Sequence, residues 1–139
     1  IDTTNGQGTL CQAGHPTPFV IGSGGELQAV GQGGMPVGLF PDAEYQDSHF
    51  TLGVGDRLYL YSDGITECEN HQQELYGEER LQQLLCEYRK LPKNQLFQRV
   101  EKALSAWHSG ETDALQEQDK KPSRPFADDI SLMAIERIT

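Results

Sequence analysis

The sequence lacks any apolar run near the roughly 20 residues that cross a bilayer. It also lacks a basic-then-apolar N-terminal stretch of signal-peptide type. No membrane contact is therefore expected from this 139-residue segment. Positive charge is scarce as well: 11 Lys+Arg face 21 Asp+Glu, a formal net charge of −10. Such a balance repels phosphate backbones, so nucleic acid is not an expected partner. Cys11, Cys68 and Cys86 are odd in number, far apart and without CxxC spacing. That excludes a disulfide frame or a zinc site and points to free thiols in a reducing compartment, the cytoplasm. His15, His49, His71 and His108 form no HxxxH pair. Position 1 is Ile, not Met, which leads us to expect a chain cut from something longer.

What is present reads as one globular domain with two halves. The first half is β-like. Asn5-Gly6 suits a two-residue hairpin turn, GTLCQAG and PFVIG are short strand candidates, and Gly22–Gly25 (GSGG) turns the second back into ELQAV. GQGGMPVGLFPDAEY, about 31–45, is a Gly/Pro-rich loop long enough to act as a flap. QDSHFTLG and DRLYLYS follow, the latter alternating with both faces partly apolar. The period then changes. Leu81, Leu84, Leu85 and Tyr88 mark a helix over about 77–90, with Glu78 and Glu79 at its positive end. Pro92 breaks it and suits the first turn of a second helix over 93–109, whose buried stripe is Leu96, Val100, Ala103, Leu104 and Trp107. Residues 110–125 are polar and charged, a long and mobile connection, and ISLMAIERI is a final apolar strand rejoining the sheet. The fold class is α+β, in layers.

Two acidic positions stand out. Asp63 directly follows a strand, and Asp128-Asp129 directly precede one. If those strands are antiparallel neighbours, about 4.8 Å apart, both carboxylates can reach one cation. Hard divalent ions take oxygen ligands of this kind. Gly64 would then let the backbone turn sharply and leave space at the metal. Each feature alone has a plain reading: Asp-Gly is a common turn, and paired Asp before a strand is often solvated. The glycine loops GSGG and GQGG lack the Gly-Lys-Ser/Thr ending of a phosphate-binding loop and are read as turns and flap. Tyr59, Tyr61 and Trp107 are read as core or sheet-face residues.

YLYSDGITE (59–67) together with ADDISLMAIE (127–136) resembles the closing half of the PPM or protein phosphatase 2C family, in its bacterial SpoIIE/RsbU-type serine phosphatase branch. LCQAGHPTPFVI, MPVGLFPDAEY and YGEERLQQLL are similar to three further segments of that branch, in the family's order. The resemblance implies a β-sandwich flanked by helices, a PPM phosphatase-like fold of which this chain is the C-terminal part. It implies a two-metal centre of Mn²⁺ or Mg²⁺ that activates water to dephosphorylate phosphoserine or phosphothreonine proteins, with no phosphoenzyme.

By motif match Asp63 and Asp128 are the catalytic metal carboxylates, while Gly14, His15, Gly64 and Asp129 line the active-site rim. The resemblance implies that Asp129 either supports the metal ligands from behind or serves as an alternate ligand. His15 falls where other branches have an acidic residue near an additional, weaker metal site. The substrate implied is a phosphorylated STAS-type antagonist in anti-sigma-factor signalling, with an upstream sensor or receiver domain in the longer chain. Lys120, Lys121 and Arg124 are candidates for docking an anionic phosphoprotein.

The family's domain begins earlier, with an Asp-rich strand that supplies the carboxylate bridging both metals and an Asp-Gly-His-Gly-type segment. Neither is found in these residues. The expectation is part of a metal site, inactive alone or binding metal weakly. The alternative is a non-catalytic regulatory or dimerisation module on the same fold. An acidic adaptor unrelated to phosphatases ranks last.

Overall fold

The computed structural model of the chain describes residues 1–110 and 128–139. They belong to two compact units, Ile1–Tyr61 with Leu132–Thr139, and Ser62–Ser131. The connection expected over 110–125 lies, apart from Gly110, outside the described residues, as do Lys120, Lys121 and Arg124.

The first unit holds β1 (Gln7–Cys11), β2 (Phe19–Ile21), β3 (Leu27–Ala29), β4 (Asp47–Thr51), β5 (Arg57–Tyr61) and β6 (Leu132–Glu136). They form two antiparallel sheets, β1-β4 and β3-β2-β5-β6. β4 and β5 are consecutive in sequence yet lie in different sheets. The crossing is fixed by Asp56, whose carboxylate accepts the amides of Gly53 (2.7 Å) and Ser23 (2.9 Å). GSGG closes the β2–β3 hairpin, with the Gly22 amide donating to the Glu26 carbonyl at 2.8 Å. At the N-terminus the expected two-residue turn is instead a wider one. The Asp2 amide donates to the Gln7 carbonyl at 2.7 Å, and the Asp2 carboxylate accepts the Thr4 hydroxyl and amide. Those bonds, the hydroxyl's first, hold the Asp2 carboxyl below its ordinary value.

β5 is buried on both faces, which explains its two-sided apolar alternation. Leu58 and Leu60 join Val20, Val30, Phe50, Leu52, Leu10 and Ile135 in a core that draws on both sheets. Burying one such side chain contributes about 2 kcal/mol relative to exposure. On the other face Tyr59 stacks at 5.6 Å on Phe19, its register partner in β2. Arg57 there meets Glu136 of β6 at 3.4 Å.

The second unit holds α1 (Asp63–Thr66), α2 (Glu78–Glu87) and α3 (Lys93–Ser109). Leu81 and Leu85 are the buried stripe of α2, and Leu96, Val100 and Leu104 that of α3, the i, i+4, i+8 spacing of one helix face. Pro92 is the residue before α3, not part of its first turn. Trp107 donates its indole N–H to the Cys68 carbonyl at 3.1 Å, meets Tyr76 edge-on, and lies under Arg80 at 4.4 Å. These contacts tie the end of α3 to the segment that follows α1.

Candidate metal centre

Ser62, the residue before α1, organises the acidic corner of the second unit. Its amide donates to the Ser131 carbonyl at 3.0 Å. Its hydroxyl donates to the Asp129 carbonyl at 3.0 Å and accepts the Ser131 amide at 2.9 Å. That hydroxyl is thus committed to the 128–131 segment and does not cap α1. Two chain segments 66 residues apart, if counted from Asp63 to Asp129, are held side by side by one serine.

Gly64 makes the contact closer still. A Cβ at Gly64 would overlap the Asp129 carbonyl oxygen and stand 3.2 Å from its carbon and 3.5 Å from the Asp128 Cβ. The glycine is therefore needed for close backbone approach. The sharp turn expected after Asp63 is absent: Gly64 is helical, within α1, and has no positive φ.

Asp63 and Asp128 flank this contact, both exposed. Each uses one oxygen on the next residue's amide, Asp63 Oδ1 on Gly64 at 3.1 Å and Asp128 Oδ1 on Asp129 at 2.7 Å. Those bonds fix each carboxylate's orientation and leave the second oxygen without a hydrogen bond among the described residues. Asp129 is also exposed, and its carbonyl rather than its carboxylate is engaged by Ser62.

The cradle suits a hard cation, since it offers outward carboxylate oxygens beside a glycine where a side chain would intrude. It is not a complete ligand set. Among the described residues no three His, Cys, Asp or Glu side chains converge as a metal group. Gly14 and His15 belong to the other unit, in the loop after β1. Gly14 has φ +75° and packs against Pro36, and the His15 ring is exposed with Nδ1 2.9 Å from the Pro16 carbonyl oxygen.

Ser62 and Ser131 escaped the reading of the sequence. Counting outward from the Tyr61↔Leu132 pair of β5 and β6 would have found them, because the next residues in the chain are these two serines.

The sheets and helices define a phosphatase-type α+β fold of the PP2C kind. Among solved structures, the RsbU and RsbW domains of Rv1364c from Mycobacterium tuberculosis match with a TM-score of 0.70 at 22% identity, covering 96% of this chain and 33% of that one. The Mn-presoaked phosphatase domain of SpoIIE from Bacillus subtilis matches with a TM-score of 0.60 at 17% identity, covering 98% and 52%. The curated relative Protein IcfG of Synechocystis sp. is 29% identical over 85 residues, 61% of this chain and 13% of IcfG. The chain thus spans at most about half the length of these proteins. The family model for Stage II sporulation protein E matches residues 1–138, and the chain belongs to the SpoIIE family.

Proposed function

We propose that this chain is the C-terminal part of a metal-dependent protein serine/threonine phosphatase domain. The observation that carries the reading is the Gly64–Asp129 contact, which in a SpoIIE-family chain sets Asp63 beside Asp128-Asp129. Asp63 and Asp128 hold Mn²⁺ or Mg²⁺ through their outward oxygens. A divalent cation bound there supplies Lewis acidity toward phosphoryl oxygens and makes water a nucleophile near neutral pH. Ser62 holds the Asp129 backbone in place, and the Gly64 and Asp129 backbones keep the floor of the site narrow. Gly14 and His15 serve as rim residues toward the substrate. The substrate is a phosphorylated STAS-type antagonist, and an upstream sensor or receiver module controls the domain in the cytoplasm.

The test uses this chain extended to the full length of its relatives' phosphatase domain, with Mn²⁺ and a phospho-STAS protein. Asp63→Asn and Asp128→Asn should each lower phosphate release by at least about 100-fold, the scale on which electrostatic stabilisation of a phosphoryl group acts. Full activity in either variant would sink the assignment of these carboxylates, and no phosphate release from the unsubstituted extended domain would favour the regulatory-module alternative. The 139-residue chain alone should not hydrolyse p-nitrophenyl phosphate with Mn²⁺.

A further inference from the structure

The glycines of GQGG, residues 31–34, carry no phosphate-loop signature, yet two of them, Gly31 and Gly33, meet one side chain. That side chain is Gln12, just after β1, which is 6% exposed. Its Nε2 donates to the His15 carbonyl at 2.6 Å and to the Thr17 hydroxyl at 3.1 Å. Its Oε1 accepts the Gly33 amide at 2.8 Å. A Cβ at Gly31 would overlap Gln12 Oε1, and one at Gly34 would overlap the Gln12 backbone carbonyl. The Gly14 amide adds a bond to the Gly34 carbonyl at 3.1 Å, and Gly14 itself leaves room for Pro36.

We propose that Gln12 is a positioning residue that clamps the Gly14–His15 loop and the root of the 31–45 loop into one rigid corner. A carboxamide is suited to this because it donates and accepts at once. Here the donor side reaches the His15 loop and the acceptor side reaches the flap root. Buried polar groups of this kind are costly to leave unpaired, so the bonds and the fold around them stand together. The loop is exposed from Gln32 onward, and beyond Pro36 it leaves the clamp, with Val37 78% accessible. The clamp thus separates a fixed root from a free outer loop. Its role in catalysis rests on the phosphatase reading: a protein-sized substrate covering the rim must meet that loop, whereas a small aryl phosphate need not.

Amide exchange on this chain tests the clamp without reference to activity. In the unsubstituted protein the Gly33 amide should exchange at least about 10-fold more slowly than the Val37 amide of the same loop. Equal rates overturn the clamp, whatever any variant does. In Gln12→Leu, similar in volume but unable to bond, Gly33 protection should fall at least about 10-fold while amides of β5 keep theirs. In Gln12→Glu the clamp should return at pH 5, where a neutral buried carboxyl can donate to His15 and accept from Gly33, and be lost at pH 8. A merely space-filling residue would show no such pH dependence. In the extended domain, Gln12→Leu should raise KM for the phosphoprotein about 5-fold or more, with kcat and p-nitrophenyl phosphate hydrolysis little changed. Lost protection with an unchanged KM would confine Gln12 to folding and overturn its positioning role.

Discussion

The acidic corner around Gly64 and the clamp around Gln12 both rely on glycines that admit a neighbouring backbone, yet they leave their polar groups in opposite states. At the clamp, the buried Gln12 carboxamide is bonded through both its nitrogen and its oxygen. At the acidic corner, Asp63 and Asp128 are exposed and, among the described residues, bonded only to their own neighbours' amides. A satisfied buried amide holds structure together. Two outward carboxylate oxygens beside a narrow floor do little for stability and keep their bonding capacity for a ligand. On the proposed reading, the difference separates a residue that positions from residues that bind.

Substitutions can break that contrast. The largest effect is on catalysis: Asp63→Asn or Asp128→Asn should lower phosphate release in the extended domain at least about 100-fold, while denaturant midpoints stay nearly unchanged. A large loss of stability in either variant would make the acids structural and erase the distinction. Next is Gly64→Ala, which forces a methyl group onto the Asp129 carbonyl. Chemical denaturation should register a loss of about 1–3 kcal/mol, the cost of overpacking where backbone must shift. Ser62→Ala removes one donor and one acceptor at the same corner. It should cost about 1 kcal/mol and speed exchange of the Ser131 amide.

The smallest effect concerns Cys68, which lies just past α1 and is buried. Burial pushes its thiol pKa up. Cys68 should therefore be alkylated more slowly than the exposed Cys11, as peptide mapping after iodoacetamide would reveal. A raised folded pKa gives stability that is fully present below the ordinary thiol value and is lost as pH rises through the folded one. Stability should accordingly decline in alkaline solution, and less so in Cys68→Ser.

Local patterns in the sequence carried much of this architecture. The alternation of Arg57–Tyr61, the GSGG hairpin and the leucine spacing of α2 and α3 are all short-range signals. The antiparallel pairing of β5 with β6 made the nearness of Asp63 to Asp128 a matter of counting. Gly64 was harder, because an Asp-Gly pair reads as a turn unless the backbone approaching from Asp129 is known. The separation of β4 from β5 into different sheets depends on Asp56 gripping two turns, a contact spanning 33 residues. Gln12 lies within the LCQAGHPTPFVI segment, but nothing in the sequence singled it out there. Its meaning lies in the Gly33 amide 21 residues away, and a lone glutamine in a loop is ordinarily a surface residue.

The central claim, that Asp63 and Asp128 bind one divalent cation across the Gly64 contact, can be read directly from Mn²⁺ line broadening in the amide spectrum of this chain. Substoichiometric Mn²⁺ should broaden the amides of Asp63, Gly64, Asp128 and Asp129 before those of β1 and β4, and Asp63→Asn should remove the effect. Broadening that spares these four amides, or that survives both Asp63→Asn and Asp128→Asn, would contradict the account.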